Sequence, residues 1–260
     1  MAAATFAPER LKYLSLLAEG FPDLASLYTQ IMEESAILSL PKGTEHFMSD
    51  IHGEYEAFCH IMNSCSGVIR EKVELWLGDS LTGHEVSELC TLIYYPQAKL
   101  KLLREQGVTD PAWYRRQIDD LVLLVRMLSS KHSRQKVRKL TPPEWAFIID
   151  ELMHAQSDED ADRLHYRQRI VDTMTETDSG ESLITALATL IKHLAVERLH
   201  VLGDIFDRGP RADSIIDILM RHPSIDIEWG NHDILWMGAA SGSEVCIAGV
   251  VRNSLAYSNT

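Results

Sequence analysis

The sequence predicts an α/β fold with a large all-helical insertion, and three stretches carry that expectation. Residues 199–233 read as strand, helix, strand: an apolar run from Leu199 to Leu202, then Ile215, Ile216, Ile218 and Leu219 at helical spacing, then a second run from Ile225. Residues 45–49 form a further short strand candidate, closed by Asp50-Ile51-His52-Gly53. Residues 64–179 read as mostly helical, with no β-branched alternation. Polar clusters follow each strand candidate, at the edge where open α/β sheets bind ligands.

Taken in order, residues 9–18 and 23–38 carry apolar positions at the 3.6 period and are punctuated by Gly20 and Pro22. A helix over about 54–63 follows the first strand candidate. Residues 86–92, 95–104, 112–128, 145–155 and 161–175 are amphipathic, as is 182–196, which leads into the strand at Leu199. Asp110-Pro111 and Thr141-Pro142-Pro143 suit helix starts, with a capping side chain ahead of a first-turn proline. The basic run 131–139 reads as a solvated face or helix end, with a site for anionic effectors as the alternative. Residues 234–260 are apolar and rich in small residues, with no visible closing element. The expected organisation is therefore 1–63, N-terminal helices and first motif strand; 64–180, helical insertion; and 181–260, continuation of the α/β part.

Bulk properties bound the function. The chain has 260 residues, 45% of them hydrophobic, enough for a sizeable core. A formal net charge of −13 argues against nucleic acid as a partner, which needs cationic surface. The same charge repels phosphorylated substrates unless metal ions or arginines reverse the field locally. Four cysteines without C-x-x-C spacing suit free thiols of a reducing compartment. No stretch approaches a membrane span and residues 1–8 lack the form of a signal peptide, so a cytoplasmic protein is the expectation.

The clusters themselves suggest chemistry. A strand ending in Gly203-Asp204 projects a carboxylate over the sheet edge, and its two oxygens can bridge two cations. Arg208, beyond Asp207, offers planar donors matched to phosphate oxygens. Asn231 offers a neutral amide oxygen to a metal. His232 can protonate a leaving alkoxide while Asp207 holds its ring. Asp50 and His52, two apart in an extended segment, point the same way and can reach one ion. Singly, these residues read as helix caps or turns. Together they recur in order after strand candidates, with Gly203 and Gly230 separated by about the 30 residues of one β-α-β unit.

Asp50-x-His52, Gly203-Asp204-x-x-Asp207-Arg208-Gly209 and Gly230-Asn231-His232-Asp233 resemble the three N-terminal signature blocks of the calcineurin-like metallophosphatases. The long helical stretch between the first two blocks, with the contexts Phe47 to Glu54 and Trp229 to Ala239, resembles the class 3 fructose-1,6-bisphosphatases of low-GC Gram-positive bacteria. The resemblance implies part of a metallophosphatase α/β sandwich and two-metal hydrolysis of a phosphomonoester, fructose 1,6-bisphosphate, in gluconeogenesis. It implies Asp50 and His52 on the first metal, Asp204 bridging, Asn231 on the second, His232 as general acid oriented by Asp207, and Arg208 with His232 on the substrate phosphate. Manganese is the implied cofactor and a sugar bisphosphate the implied partner. Residues 234–260 hold no His or Asp, whereas the family completes its second metal site with downstream histidines. The chain is therefore expected to be an N-terminal portion with an unpaired strand edge and exposed apolar surface. Other phosphoesterase substrates, a phosphoprotein or a dinucleotide polyphosphate, and a non-catalytic metal-binding chain are the alternative readings.

Overall fold

The computed structural model describes residues 7–154 and 161–259. Residues 1–6 and the end of the helix expected over 145–155 lie outside the described residues. Contacts divide the chain into two compact units, Met1–Pro41 and Lys42–Thr260.

The first unit is a pair of helices, α1 (Pro8–Gly20) and α2 (Leu24–Leu38). Proline sits in the first turn of α1, where its missing N–H costs nothing. Asp23 caps α2, accepting the Ser26 N–H at 2.7 Å.

The second unit joins a small sheet to a helical body. Three parallel strands, β1 (Glu45–Met48), β2 (Arg198–Val201) and β3 (Ile225–Ile227), lie in the order β1-β2-β3. Glu45 pairs with Arg198 and Leu199 with Ile225, so all three strands end at the same edge. Parallel strands need crossovers. The β2-to-β3 crossover is the single helix α12 (Ala212–Met220). The β1-to-β2 crossover is the whole helical body, entered through α3 (Tyr55–Ser64). Leu199, Val201, Phe58, Ile215 and Leu219, all nearly inaccessible, form the core that binds α3 and α12 to the sheet.

The helical body comprises α4 (Val68–Leu77), α5 (Gly83–Tyr94), α6 (Pro96–Glu105), α7 (Pro111–Ser129), α8 (Arg134–Leu140), α9 (Ala146–His154), α10 (Ala161–Glu176) and α11 (Gly180–Ala195). Its centre is α7 against α11. Ile118, Leu121, Val125, Ile184, Leu187 and Leu190 have no accessible surface there. Each such side chain contributes about 1.5–3 kcal/mol of transfer free energy. Asp110 caps α7 as its sequence suggests, accepting the Trp113 N–H at 2.7 Å. Thr141-Pro142-Pro143 opens a short 3-10 turn, Pro143–Trp145, that runs into α9. The basic run becomes α8, capped by Ser133, with Lys136 ion-paired to Glu197 just before β2.

The tail differs from expectation. It closes with two helices, α13 (Asn231–Ala240) and α14 (Glu244–Tyr257), bent 119° from one another. They pack on each other, Gly238 lying against Cys246 and Gly249 against Leu235. Ile234, Val245, Val251 and Leu255 remain exposed. Among the described residues β3 has a neighbour on one side only. No single described helix is long and apolar enough to cross a membrane.

Candidate metal centre

The loops that leave β1 and β2 are laced together by their backbones. His52 N–H donates to the Asp204 carbonyl at 2.8 Å, Gly53 N–H to that of Ile205 at 2.7 Å, and Gly209 N–H to that of His52 at 2.6 Å. Gly53 and Gly209 permit this approach: a Cβ on Gly53 would lie 2.3 Å from the Gly209 carbonyl oxygen. The β3 loop closes in the same way, since a Cβ on Gly230 would lie 2.1 Å from Asp204 Oδ1.

Three loops thus deliver their polar side chains to one spot. Ligand atoms of Asp50, His52 and Asp204 lie within 4.8 Å of one another, and so do those of His52, Asp207 and His232. His52 Nε2 is 3.8 Å from Asp50 Oδ1, and its ring meets that of His232 edge-on with centroids 5.7 Å apart. Asp50 and His52 do not converge through strand alternation, as the sequence suggested. β1 ends at Met48, and Asp50, His52 and Asp204 all adopt left-handed backbone, with φ of 55°, 51° and 54°. Non-glycine residues held there carry backbone strain of order 1–3 kcal/mol, and such strain clusters at functional sites.

His232 approaches Asp207 through Nδ1, 3.1 Å from Oδ1. Asp207 is buried and also accepts the Asn253 amide at 2.8 Å. His232 N–H donates to Asp204 Oδ1 at 3.1 Å. Asn231 is exposed at the first position of α13, and its side chain makes no hydrogen bond among the described residues. Arg208 is half exposed and 3.8 Å from Glu54, a loose pair.

Sequence reasoning missed the residue that holds these loops in place. Buried Asp233 accepts the N–H groups of Asp204 and Gly230 on Oδ2 at 2.7 and 2.9 Å, and those of Ile205 and Phe206 on Oδ1 at 2.9 and 3.1 Å. An Asp three places after a glycine at a helix start is the one sequence sign of such a capping role. Asn253, and Asn259 whose amide donates to the Asp207 carbonyl at 2.7 Å, carried no sign at all.

The donor set fits a divalent cation. Carboxylates and imidazoles from separate loops suit borderline and hard metals. His52 Nδ1 is buried without a hydrogen-bond partner, and an imidazole fixed for ligation ordinarily satisfies such an atom through a metal or a neighbour.

Fold and site together define a class: an α/β protein with a candidate metal centre at the carboxyl edge of parallel strands. The chain belongs to the Firmicute fructose-1,6-bisphosphatase family, whose family model matches residues 12–260. It is 49% identical to a class 3 fructose-1,6-bisphosphatase of Clostridium beijerinckii over 96% of this chain and 38% of that protein. A class 3 enzyme of Clostridium novyi is also 49% identical, over 96% of this chain and 37% of its own length. That of Clostridium acetobutylicum is 48% identical over 96% and 38%. The chain thus spans well under half the length of these curated relatives. No solved structure matches it.

Proposed function

We propose that the protein of which these residues form the metal-gathering part hydrolyses the 1-phosphate of fructose 1,6-bisphosphate, giving fructose 6-phosphate and phosphate. One observation carries the reading: Asp50, His52 and Asp204 converge within 4.8 Å although the whole helical body separates the first two from the third. Family membership supplies the substrate. The three strands would belong to a metallophosphatase sandwich, the metal would be manganese, and the compartment the cytoplasm. All four cysteines are free, which suits that compartment.

In this reading Asp50 and His52 would hold one ion, Asp204 would be shared with a second, and Asn231 would be the further contribution of these residues to that second ion. When bound, the ions lower the pKa of a water and neutralise phosphoryl oxygens. The chain's own residues do the rest. Asp207 engages Nδ1 of His232, leaving Nε2 to protonate the departing sugar oxygen. Burial of Asp207 and its bond from Asn253 hold that carboxylate in one position. Arg208, loosely tied to Glu54, is free to turn its guanidinium onto the phosphate.

The test is manganese-dependent phosphate release from fructose 1,6-bisphosphate by the full-length protein. His232→Ala should cost about 100-fold or more in kcat, the usual worth of a general acid. Turnover of a phosphoprotein or dinucleotide polyphosphate, with none of the sugar bisphosphate, would replace this substrate assignment.

A further inference from the structure

A cavity of about 260 Å³ lies at the amino-terminal edge of the sheet, the edge away from the candidate metal centre. It forms where the helical body meets the sheet. His46 comes from the second position of β1, Asn63 from the end of α3, Lys192 and His193 from the last turn of α11, and Arg221 and His222 from the turn after α12. Five of these side chains are cationic or can become so, and among the described residues no carboxylate lines the cavity. That is unexpected by chance in a chain with 38 acidic and 25 basic residues.

These groups also lack counter-charges. Arg221 has no ion-pair partner among the described residues, and the Lys192 ammonium donates to a neutral acceptor, Asn63 Oδ1, at 3.1 Å. His193 Nδ1 is buried with no hydrogen-bond partner. His222 commits Nδ1 to the Ser224 carbonyl at 2.9 Å, and His46 commits Nε2 to the Ser66 hydroxyl, so among the described residues each keeps one uncommitted nitrogen. Burial holds all three imidazoles and the Lys192 ammonium below their usual pKa, and repulsion from His222 lowers His46 and His193 further. The one internal group that could have become an anion, the Cys65 thiol, is pushed up to about 12 by its burial and stays neutral.

We propose that this cavity is a binding site for a small oxyanion of the phosphate type, free or at the end of a compact ester, independent of the metal centre. Val196, Leu199 and Ile218 form an apolar wall that keeps the local dielectric low and strengthens each charge contact. The volume lies below the roughly 300–1,000 Å³ of clefts that enclose drug-sized ligands, so it suits a phosphate group with a short body.

The experiment uses the intact chain treated with a chelator, so that no metal recruits phosphate to the other edge. Inorganic phosphate is titrated at pH 6.5 while histidine ring signals are followed by NMR, with His46, His193 and His222 assigned from single His→Asn variants. These three signals should move together to saturation while those of His52 and His232 stay fixed. Arg221→Gln, at an exposed position that the fold does not need, should weaken binding about tenfold, the value of one charge-assisted contact. In a titration with glycerol phosphate beside inorganic phosphate, tighter binding of the ester assigns the site to an ester-borne group, and equal or weaker binding assigns it to the free ion. Absence of saturation, movement confined to His52 and His232, or indifference to Arg221→Gln overturns the site.

Discussion

At the scale of single residues, the site depends on positions whose chemistry and whose placement are separable. The candidacy of Asp50, His52, Asp204 and His232 as donors at a sheet edge was legible, because each follows a strand-like run. Their placement was not. It rests on left-handed backbone at three of them and on Asp233, whose four N–H partners lie on two different loops. Replacing Asp233 by Ala leaves four N–H donors unmet, one buried and three half-buried. At about 1–3 kcal/mol for each, and less than additively, a loss of 3 kcal/mol or more is expected in urea denaturation. Asp233→Asn keeps one acceptor oxygen and should lose less. Equal losses in the two variants would mean that the hydrogen bonds are not what Asp233 contributes. A second residue-scale expectation concerns pH. Burial raises Asp120 from 3.8 to about 6. The folded chain therefore binds more protons at this group than the unfolded chain between those values, and its contribution to stability falls as pH rises through that window. Asp120→Asn should stabilise the protein above pH 6, with an advantage that fades toward pH 3.8. Unchanged urea midpoints at both ends would remove the burial argument.

At the scale of elements, what was readable was whatever buries one face. The helices at 86–92, 112–128 and 182–196 announced themselves because α5, α7 and α11 present one apolar stripe to a common core. The β-α-β unit was readable because turn residues bracket it on both sides. In contrast, α13 and α14 bury almost nothing of their own, so their apolar residues show no preferred face and the tail gave no sign of closing. The register of the sheet was also out of reach, since it pairs β1 with a strand on the far side of the helical body. The α7–α11 contact carries the expectation proper to this scale. Leu187 has no accessible surface at its centre, so Leu187→Ala should cost about 2–5 kcal/mol, a transfer term plus a cavity that rigid neighbouring helices fill poorly. Leu75, on the neighbouring helix α4 but largely exposed, should lose under about 1 kcal/mol on the same change. Unfolding midpoints of the two variants, compared directly, check that the helical body is held by this contact rather than by propensity.

At the scale of the whole molecule, a crossover as long as the helical body makes the first and second loops of the candidate metal centre distant in sequence and adjacent in space. Closing such a loop is entropically costly, and little apolar surface meets at the sheet: among the described residues eight buried side chains form its core. A cation gripped by Asp50, His52 and Asp204 would act as a clip across that gap, present only when the chain is folded. Binding of this kind stabilises by mass action, about 2.7 kcal/mol at a free metal concentration 100 times Kd. The net charge of −13 adds long-range attraction for a divalent cation, and that part is screened by salt whereas the contact part is not. Manganese should therefore raise the melting temperature of the chain, a chelator should lower it again, and the rise should survive moderate salt. Asp204→Asn removes a carboxylate charge from the ligand cluster while keeping an oxygen in place, so it should abolish most of the rise without altering the metal-free melt by a comparable amount. A rise of equal size in Asp204→Asn, or one that vanishes in moderate salt, would assign the effect to diffuse attraction over the acidic surface and leave the two loops joined by their backbone hydrogen bonds alone.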